Sequence, residues 1–371
     1  MPEPTMNHEQ PAFCTEDPER ILAFDFIRAT ENAALNSHPW LGRGDKNKAD
    51  QAACDAIRGV LDGTNCCGTV IIGEGIKDEA PGIFIGEKIG RWTCGATTFD
   101  IAVDPIDGTS NLANGLPNSL SVIAATATDG GAHQMRHLPS FYVEKMAWGP
   151  RVTQAMQRDM PALSLDLPIE DVLALVAGGM MRLVNELSVC VLKRPRNEEL
   201  IQRIRACGAA LRLITDGDIT AALAPSMPGS GIDLYVGIGG ATEAVLTAAA
   251  LKTLGGGMLV RMWPRDEVER ELLLSTCGMA EMQRTFAVDD LVSGSSVIFC
   301  ATGISDSPLL PGIQVENGKL VTSSILMRSS SRTVRHIRAV HDLDHKRVRL
   351  RHTVPAASQP FIATSCPALQ P

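Results

Sequence analysis

The sequence predicts an α/β protein built of alternating helix and sheet layers, and three observations lead there. Residues 169–223 alternate in pattern: helix 169–176, strand 187–192, helix 197–207, strand 210–214, helix 218–223. Such alternation implies a partly parallel sheet whose polar sites lie at the C-terminal ends of the strands. Short all-apolar runs, Val70–Ile72 and Ile101–Val103, are each followed within two residues by a carboxylate, as in buried strands that end on an acid. The chain has 371 residues, 44% of them apolar and 20% charged. That is enough to bury a large core as one big or two ordinary domains.

Taken in order, residues 1–19 are acidic and rich in Pro and Glu. They lack the basic start and apolar core of a secretory signal, and read as a flexible extension. Arg20–Leu35 places Ile21, Phe24, Ile27 and Ala34 on or near one face of a helix. A glycine-rich loop, Trp40–Asp50, leads to a second helix, Gln51–Leu61, which Asp50 begins. A carboxylate there is either a helix cap or a ligand. The strand Val70–Ile72 ends on Glu74, held between Gly73 and Gly75. A charge at the end of an apolar strand is costly unless paired or metal-bound. Asp78 and Glu79, just beyond, read as solvated loop.

The stretch Phe99–Asn111 organises the rest. Its apolar run is expected to stop at Asp104-Pro105, because proline gives no N–H to a sheet ladder. Asp107 follows, and Gly108-Thr109-Ser110 then turns the chain with backbone N–H groups and hydroxyls. Such a corner suits hard, oxygen-seeking cations with a phosphate between them; a plain Asx turn is the other reading. Ser119–Thr126 is a further strand, and Leu138–Met146 carries Tyr142, one of two tyrosines in the chain.

Between Gly149 and Pro168 the pattern loosens around Pro150, Pro161 and Pro168, which sets an expected boundary: one subdomain over 20–155, a second over 156–352, a loose tail over 353–371 and the site between the two. In the second half, Lys193-Arg194-Pro195-Arg196 follows a strand, as a phosphate grip or a solvated basic turn. Thr215-Asp216-Gly217-Asp218 follows another and offers carboxylates to sugar hydroxyls. Residues 234–251 read as strand, glycine turn and alanine-rich helix; Gly-x-Gly-Gly lacks the spacing of a dinucleotide fingerprint, and Glu243 falls near the helix N-terminus. Val297–Ile304 and Leu320–Met327 are two more strands, and the basic run Arg328–His341 is either a phosphate or RNA surface or a structural strand.

A formal net charge of −8 argues against a nucleic-acid or acidic-membrane binder. The ten cysteines show no zinc-site pairs and read as reduced thiols in a cytosolic, soluble protein. No apolar run reaches the ~20 residues of a membrane span.

Asp104-Pro-Ile-Asp-Gly-Thr109 is similar to the signature of the metal-dependent, lithium-sensitive sugar and inositol phosphatase superfamily. From about Arg20 to Leu350 the chain resembles class II fructose-1,6-bisphosphatases, including their fructose/sedoheptulose relatives, with the motifs in the family's order. The resemblance implies a sugar-phosphatase fold and removal of the 1-phosphate of fructose 1,6-bisphosphate, in gluconeogenesis or the Calvin cycle, with sedoheptulose 1,7-bisphosphate a further substrate. It implies two or more Mn²⁺ or Mg²⁺ ions held by Asp50, Glu74, Asp104, Asp107 and Glu243. Asp50, Thr109 and Glu74 carry catalysis by the same comparison. Asp107, Gly108, Thr109, Tyr142, Arg194, Pro195, Arg196, Asp216, Gly217, Asp218 and Gly240 contact the substrate, with Arg194 and Arg196 on the distal phosphate. It also implies a cytoplasmic homodimer or homotetramer. Three positions depart from the family: Asp107 stands for its usual Glu, Arg194 for Lys, and Ala241-Thr-Glu-Ala244 for Ala-Pro-Glu-Gly. The rival readings are a phosphatase of the same superfamily acting on inositol phosphates or bisphosphorylated nucleotides, and a non-catalytic sugar-phosphate-binding protein.

Overall fold

The computed structural model describes residues 18–73, 82–346 and 350–351; Glu74, Asp78, Glu79, most of the N-terminal extension and all of the C-terminal tail lie outside the described residues. The chain opens with α1 (Pro18–Ser37) and α2 (Lys46–Leu61). On α1 the buried residues include Leu22, Ala23, Phe26 and Ile27, while Phe24, expected among them, is 53% exposed. The buried arc is centred on Phe26, whose ring meets Phe99 at 6.2 Å. Two residues back along a helix is about 200° round, so Phe24 faces away. The second helix begins five residues earlier than its apolar pattern suggests, because Asp45 is the cap, its side chain accepting Lys48 N–H at 3.0 Å. Asp50 therefore sits inside the helix with its carboxylate released from capping.

Next come β1 (Cys67–Ile72), β2 (Lys88–Ile89), β3 (Thr98–Asp107), α3 (Thr109–Ala113) and β4 (Ser119–Ala127). They are followed by β5 (Tyr142–Trp148), α4 (Pro150–Arg158), α5 (Ile169–Met180), β6 (Ser188–Leu192), α6 (Glu198–Ala206), β7 (Ala210–Ile214) and α7 (Asp218–Leu223). Then β8 (Leu234–Gly240), α8 (Ala241–Leu254), β9 (Gly257–Trp263), α9 (Glu267–Gln283), β10 (Phe286–Ala287) and α10 (Val288–Leu291) lead to β11 (Val297–Ser305), β12 (Gln314–Glu316), β13 (Lys319–Arg328) and β14 (Thr333–His341). The last of these shows the basic C-terminal run to be a strand of the sheet.

β3 does not stop at Pro105 but continues to Asp107. Its pairing with β1 ends at Ala102, so no N–H is wanted from Pro105 on that side, and on the β4 side the register shifts between Asp104 and Asp107. A bulge is where a strand tolerates proline.

Two sheets result. The first runs β12-β13-β11-β4-β3-β1-β2, with β14 on β13; the second runs β10-β9-β5-β8-β6-β7. Both are mixed: β1/β3, β6/β7 and β6/β8 are parallel, the other pairs antiparallel. The chain leaves the first sheet after β4 and returns to it at β11, which pairs along β4 from Val297 to Ser305. Residues 142–287 thus form the second sheet between two parts of the first. Two of the three prolines in that stretch mark helix starts: Pro150 opens α4 and Pro168 is the N-cap residue of α5.

Three apolar clusters give the layering. One joins α1 and α2 to a face of the first sheet, one joins α4, α5 and α6 to a face of the second, and one lies between the sheets around α7 and α8. The order is therefore helix, sheet, helix, sheet, helix. α8 is apolar almost all round, with Ala244 through Ala250 fully or nearly fully buried, as a helix between two sheets must be. No helix of the described residues is long and apolar enough to cross a membrane.

Candidate active site

The C-terminal ends of β3, β6, β7 and β8 and the start of β5 carry the residues of interest. At the end of β3, Gly108 has φ 87°, and a Cβ on it would lie 2.1 Å from the Asn118 carbonyl oxygen, so only glycine makes this turn. The turn places the Thr109 hydroxyl 2.8 Å from Ile106 O and 3.2 Å from Asp50 Oδ1, with one proton to donate between them. Burial pushes the Asp50 carboxyl up to about 7; the Thr109 hydroxyl and Lys46 pull against this, and Asp216 adds to it.

The second sheet comes in through the β7–α7 turn. Ser110 N–H donates to Asp216 Oδ2 at 3.1 Å, and the Thr215 hydroxyl donates to Asn111 Oδ1 at 3.0 Å, which ties the turn after β7 to the one after β3. Asp107 is 3% exposed, and its Oδ2 has no hydrogen-bond partner among the described residues. Burial raises its carboxyl well above the usual range, and the charges of Glu243, Asp216 and Asp218 raise it further. Glu243 is raised likewise, first by burial and then by Asp218, against the pull of Lys145. Its carboxylate folds over Gly240, where a Cβ would fall 1.8 Å from Oε2.

Asp218 is differently placed from Asp216. It is buried, and it accepts from Lys145 Nζ at 2.7 Å, from Gly240 N–H at 3.1 Å and from the Tyr235 hydroxyl. Both oxygens are thus used inside the protein, beneath the Gly239-Gly240 turn. Lys145 and Tyr235 are residues the sequence reading missed. A lysine beside Met146, Ala147 and Trp148 in a strand was the available signal, since a buried ammonium requires a partner.

At the β6 exit, Asn197 clamps the turn to its neighbour, donating to Leu192 O at 3.0 Å and accepting from Ile238 N–H at 2.8 Å. Arg196 donates from Nε to Ile238 O at 3.1 Å, and its guanidinium lies 4.0 Å over the Tyr142 ring. Arg194 is half-buried and Pro195 exposed. Across the sheet, Tyr142 pairs with Gly240 on one side and Trp263 on the other.

The structure thus brings Asp107, Asp216, Asp218 and Glu243 into electrostatic contact, with Asp50 and Thr109 beside Asp216. Asp104 lies three residues earlier on β3, buried opposite Val122 of β4. Among the described residues no three His, Cys, Asp or Glu side chains converge tightly enough to enclose one cation. The donor set still suits hard divalent cations: it is all carboxylate oxygen, one of its oxygens is buried without a partner among the described residues, and burial with neighbouring acids raises Asp107 and Glu243 in a way that a nearby cation relieves.

A family model described as bacterial fructose-1,6-bisphosphatase, glpX-encoded, matches residues 20–341. The chain is 39% identical to a class 2 fructose-1,6-bisphosphatase of Haemophilus influenzae over 336 residues, covering 88% of this chain and 97% of that one. It is also 39% identical, over 338 residues and with the same coverage, to fructose-1,6-bisphosphatase 1 class 2 of Escherichia coli K12.

Proposed function

This chain belongs to the glpX-encoded bacterial fructose-1,6-bisphosphatase family, and we propose how its residues share the work of that reaction. The protein is a phosphoric monoester hydrolase, metal-dependent as its family is, that hydrolyses fructose 1,6-bisphosphate. In our reading the phosphate at carbon 1 leaves and fructose 6-phosphate remains. Water oxygen bonds to phosphorus, the bond to the sugar oxygen breaks, and that oxygen takes a proton.

Asp50, Glu74, Asp104, Asp107 and Glu243 would hold two or more cations, Mn²⁺ or Mg²⁺. Bound there, the cations supply neutralising charge for the phosphoryl oxygens and a more acidic water. The remaining steps fall to the chain itself. Asp50 and Thr109 orient the attacking water, and its proton passes to the Asp50 carboxylate directly or through Thr109 Oγ1. The backbone N–H groups of Gly108 and Thr109 receive the departing phosphate. Asp216, Gly217, Gly240 and Tyr142 receive the sugar, and Arg194 and Arg196, at the turn opened by Pro195, take the distal phosphate. Asp218 acts through the Gly240 turn it supports. We place the enzyme in the cytoplasm as a homo-oligomer.

The observation that carries this division is the Thr109 hydroxyl 3.2 Å from Asp50, at the edge of an acidic cluster, with the Arg196–Tyr142 pair at strand ends of the second sheet, where Tyr142 pairs with Gly240. Phosphate release from fructose 1,6-bisphosphate, sedoheptulose 1,7-bisphosphate and inositol phosphate, titrated with each metal, tests it. Activity on the inositol phosphate alone would refute the substrate.

A further inference from the structure

Arg265 lies between β9 and α9, two residues past Trp263, which pairs with Tyr142. Its backbone N–H and its Nε both donate to Glu269 Oε2 at 2.8 Å. The other oxygen of Glu269 accepts from Phe141 N–H, also at 2.8 Å. Glu269 is 7% exposed, so this one buried carboxylate joins Arg265 to the backbone just before Tyr142. The Arg265 guanidinium lies 4.5 Å over the Phe141 ring, and Phe141 meets Tyr142 edge-on at 5.0 Å. On the far side, Arg196 covers Tyr142.

Two arginines, from the ends of β9 and β6, therefore rest on neighbouring rings at one edge of the second sheet. Arg196 gives its Nε to Ile238 O, and Arg265 gives its Nε to Glu269. Both Nη groups of Arg265 have no hydrogen-bond partner among the described residues, and its side chain is 48% exposed. A guanidinium whose Nε is fixed and whose plane is stacked has lost most of its freedom in advance, so an anion meeting the Nη pair orders little more. Phosphate oxygens match that fork. In a chain of formal charge −8, local cations are what make such an anion welcome.

We propose that Arg265 binds the phosphate of the substrate that is not cleaved, together with Arg196, and so sets the preference for bisphosphorylated over monophosphorylated sugars. This rests on the reaction assigned above. The metal-loaded enzyme and its Arg265→Ala and Arg265→Lys variants are compared on fructose 1,6-bisphosphate, with fructose 6-phosphate and inorganic phosphate as inhibitors. Arg265→Ala is expected to raise KM roughly tenfold with kcat nearly unchanged, the effect of one charged hydrogen-bonding group at a half-exposed site. Inhibition by fructose 6-phosphate, which keeps the distal phosphate, weakens by a similar factor, inhibition by inorganic phosphate stays, and Arg265→Lys falls in between. An unchanged KM, or equal weakening of both inhibitors, overturns the role of Arg265. A parent enzyme inert on fructose 1,6-bisphosphate overturns the assigned reaction, and this inference with it.

Discussion

Lys145→Met tests the internal support of the site. Lys145 is fully buried and its Nζ stands 2.7 Å from Asp218 Oδ2, itself almost fully buried. Methionine fills much of the same space, so the change removes a charge rather than opening a cavity. Asp218 is left beside Glu243 and Asp107 with the Tyr235 hydroxyl and Gly240 N–H as its donors. Breaking one side of a buried ion pair costs about 3–5 kcal/mol, and two surviving donors put the expected loss at the lower end, about 3 kcal/mol. The double variant Lys145→Met/Asp218→Asn removes the orphaned charge as well and should recover about half of that loss. Equilibrium unfolding in urea at fixed protomer concentration measures both. A single variant within about 1 kcal/mol of the parent would refute the argument, as would a double variant no more stable than the single one.

Three further predictions follow from the geometry. Asp50→Asn and Thr109→Ala should each lower kcat by about 10²-fold or more while KM changes little, and a variant keeping a tenth of parental activity would remove that residue from the chemistry. Chelation should abolish phosphate release and Mn²⁺ or Mg²⁺ restore it. Adding the ion should also raise the thermal midpoint, by about 2.7 kcal/mol of stability at a hundred times its dissociation constant, so a midpoint indifferent to metal contradicts the carboxylate assignment. His341 lies under Thr322 and Lys346, and burial with the Lys346 charge lowers it from 6.5 to about 4. The fold holds it neutral, so its contribution is complete above the unfolded value and is lost as pH falls from about 6.5 toward 4. Unfolding free energy should therefore fall more steeply between pH 6 and 5 in the parent than in His341→Gln, by at most about 1.4 kcal/mol per pH unit, and equal slopes would refute it.

What could be read from the sequence was what local pattern controls. The elements of 169–223 stand within a few residues of expectation because each has a clean period and a turn at its end. The acidic corner at 104–109 was visible from its spacing. Features set by distant partners were not. Proline argued that β3 ends at Asp104, yet the strand continues because its neighbour β1 has already stopped, a fact of register rather than of residue type. Asp50 resembled a cap because Asp45, which takes that place, leaves the apolar pattern of α2 unchanged. The return of β11 to β4 joins residues over 170 positions apart, and no period in either strand records it. Lys145 and Arg265 escaped for a related reason: each matters through a partner far along the chain or beyond the stretches whose pattern was read, Asp218 for one and the Phe141–Glu269 link for the other.

The arrangement also explains why a phosphatase of this kind carries so apolar a middle layer. Asp107 comes from the first sheet, while Asp216, Asp218 and Glu243 come from the second or from the helices that follow its strands, and across the junction the charges of Glu243, Asp216 and Asp218 add to the burial that raises the Asp107 carboxyl. When two such acids are both charged and in contact, their repulsion costs on the order of 4 kcal/mol at an effective dielectric of 20 and opposes the junction. Two cross-sheet hydrogen bonds, Ser110 to Asp216 and Thr215 to Asn111, contribute only about 1 kcal/mol each or somewhat more where a carboxylate accepts. The layer between the sheets is what outweighs the repulsion. Val245, Leu246 and Leu251 of α8 are at most 1% exposed, and burying three such side chains contributes roughly 5–9 kcal/mol before entropy is counted. α8 begins at the turn over which Glu243 folds, so the helix whose burial holds the sheets together also delivers one of the acids that drive them apart. The site can therefore keep its carboxylates close before any cation arrives, and trimming α8 to smaller residues should loosen the acidic cluster without touching a charged group.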